Sequence, residues 1–135
     1  MCIRDSKAIA LKSIKEVDYH FKHSRAWVLR LGDGTQESKV KIQDSIYELW
    51  RFTGEMFESD DVENNLITEN IISASNTYHD EWLKIVKETL QEASLTEPEN
   101  VVMLSGGKKG LHTEKLGFML AEMQYLPRTY PNAKW

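Results

Sequence analysis

The sequence has few of the residues that interrupt helices or cross-link a chain. Its 135 residues include three prolines, seven glycines and one cysteine. The lone Cys2 excludes an internal disulfide framework and is typical of a protein from a reducing compartment. Because proline and glycine are scarce, long helices can form without interruption. The sequence therefore predicts an all-α protein.

Two further features that the sequence lacks limit the kinds of partner that the protein can bind. No apolar run approaches the roughly 18 residues needed to span a bilayer, and the first residues lack the apolar core of a signal peptide. The net charge is −4, so a broad basic surface for a phosphate backbone is missing. We therefore expect a cytoplasmic protein that binds neither membranes nor nucleic acid.

Apolar residues recur at spacings of three and four, which is the pattern of amphipathic helices in a bundle. The pattern predicts about four helices: from near Ser6 to Gly32, Gln36 to Phe57, Thr77 to Ala93, and, after a cap at Thr113, Leu116 to Tyr130. Residues 58–76 are expected to be a connection with at most one helical turn after Ser59. Its acidic run from Glu58 to Asp61 is interpreted as solvated, and residues 95–105 as a loop.

Local signals refine these helices. Gly32 is expected to end the first helix in a left-handed conformation, and Thr35 to cap the second. Gly54 either weakens the second helix or admits a close neighbour. The core positions predicted for the four helices are Ala10, Ile14, Val17, Phe21, Ser24, Val28 and Leu31; Ile42, Ile46, Leu49, Thr53 and Met56; Tyr78, Trp82, Ile85, Thr89 and Ala93; and Leu116, Met119, Leu120, Met123, Leu126 and Tyr130. Trp27 and Trp50 are also expected in the core.

Glu16, His20 and His23 fall near one edge of the first helix and are the candidate metal ligands. Paired carboxylate and imidazole groups can bind iron when a Glu-x-x-His spacing directs both inward. The chain has no Glu-x-x-His, so the plainer interpretation is a polar surface patch. The sequence offers no catalytic residues, because no histidine is paired with an acid and a nucleophile.

The final thirty residues begin with a cationic glycine loop and continue into an apolar helix. Such a loop suits an acidic protein surface or the phosphate of a coenzyme A ester, although a plain solvated turn needing glycine dihedrals fits as well. A tryptophan at the end of a chain commonly packs against an apolar surface, either of its own bundle or of another subunit. The candidate partner-binding residues are Gly106, Gly107, Lys108, Lys109, Gly110, His112, Glu114 and Trp135.

This tract, GGKKGLHTEKLGFMLAEMQYLPRTYPNAKW, resembles the C-terminal signature of the PaaC family of phenylacetic acid degradation proteins. Further blocks that resemble the family in the same order are KEVDYH, RAWVLRLGDGTQES, LWRFTGEMF and EASLTEPE. The resemblance implies a ferritin-like helical bundle, of which residues 7–135 would be the C-terminal half, with the first bundle helices absent. Residues 1–6, MCIRDS, match nothing in the family and are expected to be a non-native leader.

The resemblance also implies a function. Family members are the structural C subunit of ring-1,2-phenylacetyl-CoA epoxidase, an NADPH-dependent oxygenase complex. A di-iron cofactor would lie on the catalytic A subunit, and this chain would hold that subunit, and others of the complex, without a cofactor of its own. Two alternatives remain open: a di-iron oxidase whose further ligands lie in missing helices, and a helical domain that binds some other partner.

Overall fold

The computed structural model describes residues 3–134, and side chains from residue 5 onward. Every regular element in this range is helical, which confirms the all-α prediction and is consistent with part of a ferritin-like bundle. The α-helices are α1 (Ile3–Gly32), α2 (Gln36–Trp50), α3 (Asp61–Thr68), α4 (His79–Glu92), α5 (Lys115–Met123) and α6 (Tyr125–Thr129). Short 3-10 helices occupy Gly54–Phe57, Ser75–Tyr78 and Gly107–Lys109.

The turn between α1 and α2 ends at Thr35, which caps α2 as predicted. The hydroxyl of Thr35 accepts a hydrogen bond from the Ser38 amide at 3.1 Å, which satisfies one of the free amides at the start of α2. A connection of only three residues brings consecutive helices back alongside each other. α1 packs against both α2 and α4.

Gly32 is needed for a different reason from the one the sequence indicated. It is the last residue of α1 and is not among the described glycines with positive φ, so the left-handed prediction is wrong. A Cβ added at Gly32 would lie 2.4 Å from the Ala93 carbonyl oxygen and 2.9 Å from the Ala93 Cβ. The glycine therefore lets the end of α1 touch the end of α4.

Ala93 also belongs to the core of the chain. Its most buried apolar residues are Trp50, Leu90, Ala93 and Leu95, and it is extended by the partly buried Val28, Leu29, Ile42, Ile46, Trp82, Leu83, Val86 and Val101. The Trp50 and Trp82 ring centroids are 6.0 Å apart, as expected for two core tryptophans. Trp27 does not belong to the core: it is half exposed, with the Arg30 guanidinium 5.5 Å from its ring centroid.

α1 extends well beyond the helices that pack against it. Its 30 residues span about 45 Å, whereas the 15 residues of α2 span about 22 Å. Of its predicted core positions, Val28 and Leu31 are partly buried, while Val17 remains 64% exposed and Phe21 47% exposed. Sequence periodicity identified the apolar stripe correctly, but only its C-terminal end is covered.

The uncovered stripe continues into an open groove between α1, α2 and α4. This groove has a volume of about 280 Å3 and is lined by Phe21, Ser24, Arg25, Val28, Ile46, Leu49, Trp50, Thr53, Ile85, Val86, Thr89 and Leu90. The chain exposes 11450 Å2 in total, whereas a compact monomer of this size exposes about 7300 Å2. The described helices therefore do not close a complete core.

α2 ends at Trp50 rather than at Phe57. The chain then tightens into three-residue hydrogen bonds, in which the Thr53 amide and hydroxyl both donate to the Trp50 carbonyl. The Arg51 carbonyl accepts instead from the Leu104 amide at 2.7 Å, so residues 101–105 take the place of the next helical turn. A Cβ on Gly54 would lie 3.2 Å from the Met103 side chain, in agreement with the prediction of a close neighbour there.

The connection after α2 contains a helix where at most one turn was expected. Asp60 accepts a hydrogen bond from the Glu63 amide at 2.8 Å, and the Glu63 carboxylate accepts from the Asp60 amide at 3.0 Å. These two bonds form a capping box that starts the eight-residue α3. The prediction of a mostly irregular segment was wrong because the Asp-x-x-Glu spacing was read as a solvated charge run.

The bounds of α4 are close to those predicted, but several of the residues that it buries are one position away from the predicted ones. Its N-terminal turn is the 3-10 helix Ser75–Tyr78, and the α-helix ends at Glu92. Tyr78 is 56% exposed and Ile85 36% exposed, whereas Leu90 is 5% exposed. The buried face is therefore formed by Trp82, Leu83, Val86, Leu90 and Ala93.

Residues 95–105 form no regular element, as predicted, but they are held in place. The Gln43 side chain donates to the Thr96 carbonyl at 3.0 Å and accepts from the Thr96 amide at 2.9 Å. Leu95 is 6% exposed and joins the core. Together with the bond from Leu104 to Arg51, these contacts fix the loop near both of its ends.

The single final helix that was predicted is two helices. Thr113 makes no side-chain cap, and α5 ends at Met123 before α6 begins at Tyr125. Pro127 explains the break, because it has no amide to donate to the Met123 carbonyl. Proline is accepted in the first turn of α6, where amides have no helical partner. Leu116 is partly buried, whereas the apolar side chains after it remain exposed.

Within the described residues, no helix is both long and apolar enough to cross a bilayer. α1 has the length, but lysine, arginine and acidic side chains recur along it.

The Gly32 contact predicts opposite effects for two glycine-to-alanine substitutions. Gly32→Ala should lower the free energy of unfolding by about 1–3 kcal/mol, because the new methyl group overlaps the Ala93 carbonyl. Gly117→Ala should raise it by about 0.5–1 kcal/mol, since nothing lies within 4 Å of its added Cβ and alanine favours a helix. Urea unfolding followed by circular dichroism measures both, and equal shifts would contradict the contact.

Candidate functional site

The glycine loop after residue 105 has a fixed geometry. Gly106 has φ 111° and Gly110 has φ 83°, which are left-handed values that favour glycine. Between them Gly107–Lys109 forms one 3-10 turn, and the Leu111 amide closes the loop by donating to the Gly106 carbonyl at 3.0 Å. The expectation that this turn needs glycine dihedrals is confirmed at these two positions.

Lys108 lies in the loop and bonds to the start of α3. Its Nζ donates to Glu63 Oε2 at 2.6 Å and to the Glu58 carbonyl oxygen at 2.7 Å. The ion pair is partly shielded, with Lys108 36% and Glu63 30% exposed at their side chains. Lys108 therefore joins two segments that are about 45 residues apart in sequence.

Two further hydrogen bonds reinforce this junction. Ser105 Oγ donates to Glu58 Oε2 at 2.6 Å, and the Gly107 amide donates to Glu55 Oε2 at 2.9 Å. We call the set of Glu55, Glu58 and Glu63 with Ser105, Gly107 and Lys108 the loop anchor. It holds the glycine loop on the segment between α2 and α3.

The loop anchor perturbs one titrating group. The hydrogen bond from Lys108, followed by the bond from the Asp60 amide, lowers the pKa of the Glu63 carboxyl below its ordinary value of 4.5. Folding therefore favours the ionised form of this carboxyl. The same carboxylate both closes the capping box of α3 and receives the loop lysine.

The anchor divides the predicted partner-binding residues into two groups. Lys108 and Gly107 both donate hydrogen bonds within the chain. Lys109 is exposed, and within residues 5–134 no ion pair joins it to another residue. His112 and Glu114 are also exposed. Trp135, the last member of the predicted set, lies outside the described residues.

A cleft of about 570 Å3 opens beside the loop. It lies between the segment after α2 and the start of α5. Its charged and titratable lining residues include Glu55, His112 and Lys115. Its remaining lining is Phe52, Leu104, Ser105, Leu111, Thr113, Leu116 and Met119. The structure thus brings His112 to the same cleft as Glu55, which the sequence order alone did not show.

The candidate metal ligands Glu16, His20 and His23 lie together on the exposed part of α1. The His23 ring stacks on Tyr19 with centroids 5.9 Å apart, and His20 meets Tyr19 edge-on at 6.1 Å. Among the described residues, no three His, Cys, Asp or Glu side chains are grouped closely enough to hold a metal ion. The structure therefore places these three residues on one surface without assembling a ligand set.

Sequence spacing did not predict the acidic half of the loop anchor. The run from Glu58 to Asp61 was interpreted as solvated, whereas Glu58 contacts the loop and Asp60 caps α3. Glu55 and Glu63 were not singled out at all. The available signal was the complementary charge of an acidic run and the Lys-Lys pair, but local spacing does not show that such distant segments meet.

The anchor predicts a pH-dependent contribution from Glu63. Because its folded-state pKa is lowered, the stabilisation is fully present above pH 4.5 and is lost as the pH falls through the lowered value. Glu63→Gln keeps a capping-box residue but removes the charge. The urea midpoint of the variant should therefore fall below wild type at neutral pH and approach it in acid.

Lys109→Met is the matched control, because it removes a neighbouring loop lysine that bonds to no acid in the described part of the chain. Its midpoint should follow that of wild type at each pH. A Glu63→Gln difference that grows in acid would show that the ion pair does not stabilise the fold.

Comparison with known proteins gives the same family as the sequence blocks. The family model of the phenylacetic acid catabolic proteins matches residues 3–135. The chain is 47% identical over 128 residues to the C subunit of the 1,2-phenylacetyl-CoA epoxidase of Escherichia coli strain K12. That alignment covers 95% of this chain and 52% of the relative, so the chain spans about half the relative's length. The resemblance in the sequence is confirmed, and the chain belongs to the phenylacetic acid catabolic protein family.

Proposed function

We propose that this chain is part of a non-catalytic structural subunit of a 1,2-phenylacetyl-CoA epoxidase that acts in aerobic phenylacetate catabolism. The observation that carries the proposal is the 47% identity to the C subunit of such an epoxidase across 95% of the chain. The name of that relative implies a complex of several subunits. In this proposal the chain supports the di-iron catalytic A subunit and also makes contact with other members of the complex.

The placement of the candidate ligands favours a structural role for this chain over a catalytic one. Glu16, His20 and His23 are exposed along one helix, where their side chains can be hydrated. A di-iron site of the ferritin-like type needs carboxylates and histidines directed inward from four helices. We therefore place the iron on the catalytic subunit.

The exposed surface of the chain also supports a role in binding. The chain exposes far more surface than a compact monomer of its size, and its groove between α1, α2 and α4 is open. Large exposed apolar patches mark interaction surfaces in soluble proteins. A subunit of an assembly has partners that can cover such patches.

Iron content tests the assignment of the metal. We expect the purified chain to retain no stoichiometric iron after anaerobic reconstitution with ferrous iron and desalting, because its candidate ligands do not converge. Elemental analysis measures this, with the catalytic subunit treated in parallel as the positive control. Two irons per chain that disappear in a Glu16→Ala, His20→Ala variant would replace the proposal with a di-iron oxidase.

A charge reversal at Lys109 tests the glycine loop as part of the partner interface. Lys109→Glu should slow association with the catalytic subunit, most strongly at low ionic strength, because an exposed charge acts mainly through electrostatic steering. Helix content should be unchanged, since surface substitutions shift stability by only about 0.5 kcal/mol. Surface plasmon resonance at two salt concentrations gives the association rates.

Lys108→Glu is the contrasting variant, because it breaks the loop anchor as well as changing charge. It should reduce the urea midpoint, whereas Lys109→Glu should not. Equal association rates for wild type and Lys109→Glu at low salt would remove Lys109 from the interface while leaving the proposed structural role intact.

A further inference from the structure

We infer that the loop anchor is a latch, in which the ion pair between Lys108 and Glu63 makes α3 and the glycine loop open and close together. The glycine loop is here residues 106–111. The two halves of the ion pair are 45 residues apart in sequence. Loss of either charge, by protonation of the carboxylate in acid or by substitution, releases both segments at once and leaves the packing of α1, α2 and α4 unchanged.

α3 has little packing of its own to hold it. None of its eight residues is buried, and only Glu63, Leu66 and Ile67 are partly covered. The closest helix packing in the described chain joins α1 to α2 and to α4, and α3 takes no comparable part in it. An isolated helix of this length is marginal in water. Segments with few buried apolar contacts open more easily than the whole fold. α3 therefore depends on the polar bonds at its first turn.

The carboxylate of Glu63 belongs to both segments. Its Oε2 atom accepts a hydrogen bond from the Asp60 amide at 3.0 Å, which closes the capping box of α3. The same atom accepts the bond from Lys108 Nζ at 2.6 Å. The loop lysine thus holds the Glu63 side chain in the position that caps the helix. Because one ordered side chain serves both bonds, the entropy lost in forming the first need not be lost again for the second.

The glycine loop depends on the same junction. Lys108 lies on the 3-10 turn Gly107–Lys109, in which no residue is buried. Its second bond goes to the Glu58 carbonyl oxygen at 2.7 Å, directly before the start of α3. Without Lys108 the loop keeps two anchor bonds, which come from Ser105 and from the Gly107 amide. Both ends of the latch are therefore held mainly by polar groups.

Acid is one trigger of the latch, because protonation removes the charge of Glu63. The charged groups that act on this carboxylate are Lys108, which faces it from the loop, and Asp60, at the start of its own helix. The Lys108 bond, followed by the bond from the Asp60 amide, lowers the pKa of Glu63 below 4.5. The latch is therefore closed above pH 4.5 and opens as the pH falls through the lowered value.

The latch acts on the cleft beside the loop. Ser105, in the loop anchor, and Leu111, at the end of the glycine loop, both line this cleft. The Leu111 amide donates to the Gly106 carbonyl at 3.0 Å, which is the bond that closes the loop. When the latch opens, the cleft loses a fixed part of its wall.

Hydrogen exchange of the full chain, followed residue by residue by NMR, tests the coupling from the loop to α3. Lys108→Met removes the loop charge without changing any residue of the helix. The Asn64 amide, which donates to the Asp60 carbonyl, and the Glu69 amide, which donates to the Asn65 carbonyl, should then exchange about threefold to fivefold faster.

The same measurement tests the coupling from α3 to the loop. Asp60→Ala removes the side chain that caps α3, and the Leu111 amide should exchange faster by a similar factor. The amides of Ala93 and Leu95, which bond to carbonyls of α4, should keep their wild-type rates in both variants. Lys109→Met is the matched control, because Lys109 makes no ion pair among residues 5–134. It should leave every rate unchanged.

An acid titration of wild type gives a second measurement that needs no variant. The amide resonances of α3 and of the glycine loop should shift with one shared midpoint below pH 4.5. The indole resonances of Trp50 and Trp82, which mark the core, should keep their dispersion through this midpoint.

Three results would overturn the latch. Unchanged α3 rates in Lys108→Met would show that the helix and the loop open independently, whether or not the loop rates rise. Faster exchange of Ala93 and Leu95 in the same variant would show that the ion pair belongs to the global fold. Should circular dichroism show that the variants do not fold, separate acid midpoints for α3 and the loop in wild type would overturn it instead.

Discussion

The contact between Gly32 and Ala93 sets the spacing on which the described fold depends. It joins the C-terminal ends of α1 and α4, and Ala93 itself belongs to the buried core together with Trp50, Leu90 and Leu95. A larger side chain at either position would separate the two helices by the width of a methyl group. Close-packed interiors do not absorb such a change without loss of contacts. The most buried part of the chain is thus also its least tolerant part.

A second junction, the loop anchor, is made of polar groups near the surface. It relies on Lys108 reaching the Glu63 carboxylate and on the Gly107 amide reaching Glu55. Exposed ion pairs contribute little individually, but several bonds at one junction restrict the conformations of a loop. The apolar contact at Gly32 therefore determines how α1 and α4 pack, and the anchor determines where the chain leaves the core toward α5.

The sequence predicted those features that depend on neighbours along the chain. The Thr35 cap, the irregular segment 95–105 and the core tryptophans Trp50 and Trp82 follow from local spacing and composition. Pro127 carried a local signal for the break between α5 and α6, and that signal was overlooked. Other features depend on segments that meet only after folding. Gly32 faces Ala93 across about sixty residues, so its role could not be read from its position at a helix end. Periodicity likewise identified the apolar stripe of α1 but could not show how much of it the other helices cover.

The paired hydrogen bonds between Gln43 and Thr96 make the fold sensitive to slow deamidation of Gln43. The side-chain amide imitates one rung of a β-ladder, since it donates to the Thr96 carbonyl and accepts from the Thr96 amide. Deamidation would turn this group into a carboxylate, which has acceptors alone when ionised. The carbonyl would lose its donor and face a negative charge. Slow hydrolysis at one glutamine would therefore loosen the start of segment 95–105, while the bond from the Leu104 amide to the Arg51 carbonyl still holds its end.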